Sequence, residues 1–359
     1  RTGRTVGQIG VRLAVVAALA VLVFAGGAAA DASWTATVNN SSVTVTYEGN
    51  GTADDPYEIS NVTELQAIGH NATTLDYHYE LVDDIDASDT ANWVDGGFQP
   101  IGDGNRFGES TSNTFNGNEY EITDLFIEID GPTGLFGETR RTRISNLTIS
   151  NITIGGDGPG KYRIGAVVGL ANDDQDGFTT IENVRVQGNI TGNDGQYTGG
   201  LVGDLDNGVI SRSSFTGSID IGGIKGGIAG NMRGSVVVNK SYFSGDLAGG
   251  SDAFGFGDTR TASINDSYLK VTFSPNQRFH LTRDDGDVTV SDVFILLNSD
   301  NDLTNSLTVV NSVDAYVIDA TGSSQSLGLT PVTEENATGI AAVDAMAFDW
   351  GDTWRVTES

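Results

Sequence analysis

Along most of this chain apolar and polar residues alternate in short runs, and one such run keeps returning. Its copies are Ile144-Ser-Asn-Leu147-Thr-Ile149-Ser-Asn-Ile152-Thr-Ile154, Ile181-Glu-Asn-Val184-Arg-Val186-Gln-Gly-Asn-Ile190, Ile210-Ser-Arg-Ser213-Ser-Phe215-Thr-Gly-Ser-Ile219, Val237-Val-Asn-Lys-Ser241-Tyr-Phe243-Ser-Gly-Asp-Leu247 and Ile264-Asn-Asp-Ser267-Tyr-Leu269-Lys-Val271. Weaker echoes follow at Val290-Ser-Asp-Val293-Phe-Ile295 and Val310-Asn-Ser-Val313. A period of two predicts β-strands with one apolar face. Ser33 to Tyr47 alternates in the same way, interrupted at Asn39-Asn40-Ser41-Ser42, which predicts two strands and a turn.

Between the runs lies a glycine pentapeptide: Thr133-Gly-Leu-Phe-Gly137, Gly165-Ala-Val-Val-Gly169, Gly199-Gly-Leu-Val-Gly203, Gly226-Gly-Ile-Ala-Gly230 and a degenerate Ala253-Phe-Gly-Phe-Gly257. Their closing glycines stand 27 to 34 residues apart. A unit of two or three short strands cannot bury its apolar face alone, but stacked units bury a continuous column. Glycine suits the corners, where φ turns positive or backbones approach closely. The expected fold is all-β: a right-handed parallel β-helix, one repeat per coil, with a small N-terminal β segment and a C-terminal cap. A β-sandwich also contains many short strands, yet it does not explain a glycine motif returning at nearly constant spacing.

At these residues the chain resembles the GLUG-motif repeat proteins, secreted and surface proteins of bacteria and haloarchaea. Tyr57-Glu-Ile-Ser-Asn61, Leu65-Gln66, Leu81-Val-Asp-Asp-Ile-Asp-Ala-Ser88, Gly97-Phe-Gln-Pro-Ile-Gly102 and Phe115 to Leu125 are similar to that family's lead-in. Phe348-Asp-Trp350 and Trp354-Arg-Val356 look like its closing motif. The family typically continues there into Gly-Tyr-Pro, whereas this sequence stops at Ser359, so a longer natural protein is expected. The resemblance implies an extracellular β-helix-like domain of the kind found in adhesins, and no characterised reaction.

The amino end carries Arg1, Arg4 and Arg12, then the apolar Leu13 to Phe24, then small residues with Ala-x-Ala sites near Ala30 and Ala32. That is the layout of a secretory signal. The apolar run is shorter than the roughly 20 residues that span a bilayer, although flanking alanines and glycines leave a hydrophobic anchor open. The expected organisation is 1–32 signal peptide or anchor, 33–50 β linker or cap, 51–330 β-solenoid, and 331–359 capping segment.

Composition narrows the function. The 359 residues include 48 acids against 19 bases, a formal charge of −29, with no cysteine. Such a surface offers nothing to neutralise phosphates, which excludes a nucleic-acid binder. Without cysteine there is no disulfide framework, thiolate zinc site or thiol nucleophile. Dense carboxylates with few lysines suit a protein that stays soluble in high salt, the expectation of a halophile; a calcium-loaded surface is the competing account.

Candidate chemistry is thin. Some members of the resembled family are attached to zinc peptidases that attack immunoglobulins, a chemistry that needs His-Glu-x-x-His. The three histidines, His70, His78 and His280, do not form it. Gly155-Gly-Asp-Gly-Pro-Gly160-Lys161 has phosphate-loop spacing, but Tyr162 replaces the magnesium-binding Ser or Thr. No Gly-x-Ser-x-Gly elbow is present. Asp83, Asp84, Asp86 and Asp89 crowd seven residues, and Asp173-Asp174-Gln-Asp176 and Asp284-Asp285-Gly-Asp287 are similar; these are weak calcium candidates or solvated turns. Among polysaccharide-active enzymes, a glycosidase would need two carboxylates about 5 to 10 Å apart, and no distinctive Asp/Asp or Arg/Lys cluster marks the strands, where Arg185 and Arg212 sit singly in the sequence. Eleven Asn-x-Ser/Thr sequons fall at Asn39, Asn40, Asn50, Asn61, Asn71, Asn146, Asn151, Asn189, Asn239, Asn265 and Asn336, with Asn146 and Asn151 expected to be structural.

The expected function is a non-catalytic secreted or cell-surface β-solenoid, structural or adhesive, with no cofactor and no assigned catalytic or metal residue. Expected partners are cell-surface glycans, proteins or further copies of the chain. The alternatives are a polysaccharide-active β-helix enzyme and a subunit of an extracellular assembly.

Overall fold

The computed structural model describes residues 32–110, 112–155, 163–172, 177–192, 195–250, 252–259, 261–273, 278–282, 287–298, 307–308 and 315–319. The hydrophobic amino-terminal segment, residues 156–162 of the glycine loop, Asp173, Asp174, Asp176, Asp284, Asp285, the Val310 echo, Asn336 and the closing motif lie outside them.

The chain is a parallel β-solenoid. Each apolar run is a strand or strand pair: Thr142–Ile154, Thr179–Gly192, Val202–Ser211 with Ser214–Ile221, Ala229–Asn239 with Tyr242–Ala248, Thr261–Phe273 and Asp287–Asn298. Every strand pairs in parallel with its counterpart one coil on. Alternation then dictates the core, because register partners project the same way. Tyr57, Tyr79, Phe115, Ile144, Ile181, Ile210, Val238, Ile264 and Val290 form one buried column. Ile85, Ile122, Ile149, Val186, Phe215, Phe243, Leu269 and Ile295 form a second. Within it the rings of Phe215 and Phe243 stack with centroids 6.1 Å apart.

The glycine pentapeptides also line up. Gly165, Gly199, Gly226 and Phe254 are register partners in a six-stranded sheet of three-residue and two-residue strands running from Arg163–Gly165 to Leu307–Thr308. Gly203 is required by close approach rather than by positive φ: a Cβ there would meet the Gly169 carbonyl and the Ile164 amide of the preceding coil. The end copies correct the sequence alignment. Thr133 opposes Ile164, not Gly165, and Ala253 opposes Lys225, not Gly226. Both copies cross the corner with one residue fewer, since Phe136 and Val168, and Asn231 and Asp258, are back in step.

Turns between strands use residues that tolerate the left-handed region. Asn146, Asn183, Arg212, Lys240 and Asp266 all have φ between 48° and 55° at equivalent positions of successive coils. Asn183 Nδ2 donates to Asn146 Oδ1, and Asn146 Nδ2 to Asn116 Oδ1, each at 3.0 Å, so an amide ladder ties three coils together. Farther on, buried serines take over. The amide of Val184 donates to Ser213 Oγ at 3.1 Å, that of Ser213 to Ser241 Oγ at 3.3 Å, and that of Ser241 to Ser267 Oγ at 3.2 Å. The three hydroxyls donate to Ser211, Asn239 and Asn265 carbonyls of their own coils.

At the amino end, strands β1 (Ala32–Val38) and β2 (Ser41–Tyr47) form an antiparallel hairpin. Its turn needs only Asn39 and Asn40, both with positive φ, the geometry of a type I′ turn. The hairpin's inner residues Ala36, Val38, Val45 and Tyr47 join the same hydrophobic core as the coils. One short helix, α1 (Val62–Ala67), was not legible as such in the alternation pattern. Asn61 caps it, its Oδ1 accepting from the Thr63 and Glu64 amides at 3.1 and 3.0 Å.

Two substitutions test this stacking by denaturant unfolding. Asn146→Ala loses both the left-handed preference and the ladder, an expected cost of about 2 kcal/mol, while Asn146→Gly loses only the ladder and costs about half. Gly217 has φ 145°, and a Cβ there would run into the Gly188 carbonyl of the neighbouring coil; Gly217→Ala is expected to cost about 3 kcal/mol or more.

Candidate binding face

The four clustered aspartates do not converge. Asp83 Oδ1 accepts from the Asp84 amide at 2.8 Å, Asp84 Oδ1 from the Glu121 amide at 2.9 Å, and Asp86 Oδ1 from the Ser88 amide at 2.9 Å. The bonds from Ser88 hold the Asp86 carboxyl below its ordinary range. These side chains therefore serve turns and the neighbouring coil. Among the described residues no group of three or more His, Asp or Glu side chains is arranged around a metal.

The histidines are dispersed. His70 stacks on Trp34, His78 Nδ1 lies 2.9 Å from Thr114 Oγ1, and His280 stacks on Phe254. Burial lowers the pKa of His70 and His78. Several sequon asparagines also have local work: Asn61 caps α1, Asn71 Oδ1 accepts from the Thr73 and Thr74 amides, and Asn146 and Asn151 donate to Asn116 and Asp124.

Charge is concentrated where the sequence did not signal it. The residue after each closing glycine forms one column: Glu138, Leu170, Asp204, Asn231 and Asp258. Asp204 is fully buried there, bound by Arg163 Nε at 2.9 Å, Arg233 Nη2 at 3.1 Å and Asn231 Nδ2 at 2.7 Å. Glu182 likewise bridges Arg143 and Arg212, so Arg212 is not solitary, contrary to its appearance in the sequence. Both clusters bind carboxylate to guanidinium across coils separated by about 30 to 40 residues of chain.

Among the described residues, depressions mark the outer surface, including two lined in part by charged side chains. One, of about 400 Å³, is lined by Asp76, Asn105, Arg106, Glu109, Ser110 and Glu138 among others. Its acids are already engaged: Arg106 reaches Glu109 at 3.2 Å and Glu138 at 3.5 Å, and Arg140 reaches Glu109 at 2.9 Å. This is a salt-bridged surface rather than a free pair of carboxylates for glycoside chemistry.

The other, of about 390 Å³, lies on the outer face of the strands carrying the first apolar runs. Thr148, Arg185, Ser214 and Tyr242 are successive register partners, and Glu121 precedes Thr148. Gln187 and Thr216 make a parallel row. Ser214, the small member of this row, is buried between its long register neighbours Arg185 and Tyr242. Glu121 is the one carboxylate here, and its Oε1 accepts from the Ser150 hydroxyl. The face brings together one guanidinium, one carboxylate, one aromatic ring and several hydroxyl and amide groups.

No family model matches the chain. It is 39% identical over 186 residues, half of its length, to halomucin of Haloquadratum walsbyi, and 33% over 145 residues to an Evansella cellulosilytica protein described as a Gly-rich membrane protein. It is 29% identical over 216 residues to the immunoglobulin A1 protease of Streptococcus sanguinis. These matches occupy 2%, 15% and 10% of the respective relatives, so the chain spans a small part of each. A Bacteroides ovatus crystal structure described as an immunoglobulin A1 protease shares the fold, with TM-score 0.55 at 15% identity, covering 76% of this chain and 86% of that one. Among the described residues no helix is long and apolar enough to cross a membrane.

Two predictions test the electrostatics. Arg163→Ala or Arg233→Ala alone leaves Asp204 one guanidinium and Asn231, whereas the double variant strands a buried charge. Urea unfolding is expected to show a loss of about 3 kcal/mol or more for the pair, exceeding the sum of the singles. At the amino end Glu58 and Glu80 are register partners, and burial followed by Glu48, Glu80 and Asp55 raises the Glu58 pKa. A raised carboxyl pKa means the folded state holds its proton more tightly, so stability falls as pH rises through the glutamate range. Glu58→Gln is expected to raise the melting temperature at neutral pH and low salt. The gain should vanish below the ordinary glutamate range and shrink in high salt.

Proposed function

We propose that this chain is a secreted or cell-surface β-solenoid module with a structural or adhesive, non-catalytic role. The observation that carries the reading is the coil-on-coil stack: continuous apolar columns inside and inter-coil ladders at the turns. Such a rod is stiff because every coil is hydrogen-bonded to the next, and it displays many equivalent positions for recognition. Similarity to halomucin over half of the chain supports a surface setting and, with the formal charge of −29, a halophilic one. The glycine pentapeptides fit the GLUG type of repeat.

The similarity to immunoglobulin A1 proteases supports the fold and the extracellular context more than their chemistry. It involves a tenth of the streptococcal protein, and this sequence contains no His-Glu-x-x-His.

Antibody labelling of intact cells that produce the protein tests the setting. Labelling without permeabilisation is expected; labelling only after lysis would overturn it. Incubation of the folded chain with immunoglobulin A1 and with polysaccharides is expected to yield no fragments. Turnover lost on substituting a single carboxylate would overturn the non-catalytic role.

A further inference from the structure

We infer that Asn40, in the turn of the amino-terminal hairpin, is an attachment site for an N-linked oligosaccharide. The inference rests on the secreted or cell-surface reading and goes beyond it. Attachment replaces one hydrogen of an asparagine Nδ2 with a bulky sugar, so in the folded chain that nitrogen has to face water. The hydroxyl two residues on completes the acceptor sequence. Most of the described sequons fail one of these conditions. Asn146 Nδ2 donates to Asn116 Oδ1 at 3.0 Å and Asn151 Nδ2 to Asp124, both on the preceding coil. Asn265 Nδ2 donates to Ser263 Oγ at 3.1 Å, and the nitrogens of Asn50, Asn61 and Asn71 donate to Asp55, Ser60 and His70. The hydroxyls that serve Asn239 and Asn265, on Ser241 and Ser267, are buried in the serine ladder. Asn189 lies inside the strand Thr179–Gly192, which is paired on both sides, and its Oδ1 accepts from Ser218 Oγ at 2.8 Å.

Asn40 meets both conditions. Asn39, Asn40, Ser41 and Ser42 are all exposed, and the two asparagines turn the chain at φ 48° and 54°. Neither the Asn40 side chain nor the Ser42 hydroxyl makes a hydrogen bond among the described residues. Asn39 is committed by contrast, its Oδ1 accepting from the Val94 amide at 2.8 Å. Of two overlapping sequons, one is thus tied to a neighbouring segment and the other is free. On the exposed face of the hairpin the flanking residues are Thr35, Thr37, Thr44 and Thr46, a neutral hydroxyl surface in a chain of formal charge −29. A sugar on Asn40 leaves every bond between coils in place. In the transfer, the Asn40 amide nitrogen attacks the anomeric carbon of a polyprenyl-phosphate-linked oligosaccharide, on a transferase of the exporting cell. An N–C bond forms as the C–O bond to phosphate breaks; the phosphate leaves with that electron pair, and the amide gives up one proton.

Glycopeptide mass spectrometry of the whole chain, purified from the cells that produce it, tests this. Sugar is expected on the peptide containing Asn40, with the peptides of Asn146, Asn151, Asn239 and Asn265 unmodified. Ser42→Ala removes the Asn40 sequon while keeping both turn asparagines, and is expected to lose that sugar; Ser42→Thr is expected to retain it. Ser41→Ala removes the Asn39 sequon alone and is expected to stay modified, which assigns the sugar to Asn40. Circular dichroism and melting temperature establish that each variant is folded. An unmodified Asn40 in the original chain would overturn the site. So would sugar on this peptide that survives Ser42→Ala, or that disappears from folded Ser41→Ala. Any of these with cell-surface labelling intact condemns the site alone; labelling only after lysis would remove the reading beneath it.

Discussion

Backbone hydrogen bonding between one coil and the next is the constraint from which the rest of this structure follows. A parallel pairing fixes which residue lies over which, and side chains at paired positions then share a direction. Once Ile144 sits on Ile181 and Ile181 on Ile210, alternation sends the next positions outward and the following ones back to the core. Apolar columns, amide ladders and the outer polar rows are therefore one result seen from different sides. The corners obey the same rule. Where two coils must approach within backbone distance, as at Gly203, a side chain would push them apart.

The same constraint also places some of this chain's negative charge beside positive charge. Two acids that would otherwise burden the fold, Asp204 and Glu182, are each held by a pair of arginines drawn from neighbouring coils. Stacking thus converts residues far apart in sequence into short ion pairs. It also produces the opposite where like charges share a column, as with Glu58 over Glu80. Salt would relieve the second case while leaving the buried Asp204 cluster largely unscreened.

Much of the fold was legible because repetition announces itself. The apolar runs, the glycine pentapeptides and even the Val290 echo take the places their spacing implied. Asn146 and Asn151 are structural, each at positive φ with its amide engaged. The slip at the end copies was hidden, since a corner can lose one residue and recover register within the same turn. Helix α1 was hidden because six residues show too little periodicity, although Asn61 followed by Glu64 is a readable cap. The Asp204 cluster left only a partial trace, a polar residue after four of the five closing glycines, Leu170 being the exception, and it gains meaning only when the coils are superposed. The outer row of Arg185, Ser214 and Tyr242 left none. Its members belong to separate repeats, and only a residue-by-residue register makes them neighbours.

Because the sequence has no cysteine, disulfide trapping can read that register directly. Ser218 and Asp246 are opposed on adjacent coils, with Cα atoms about 4.8 Å apart at normal strand spacing, within the range a disulfide spans. The chain carrying Ser218→Cys and Asp246→Cys should oxidise rapidly and completely to an intramolecular bond while remaining folded. A pair displaced by two residues, Ser218→Cys with Ala248→Cys, should oxidise far more slowly. Equal rates for the two pairs, or linkage only between molecules, would contradict a solenoid stacked in this register.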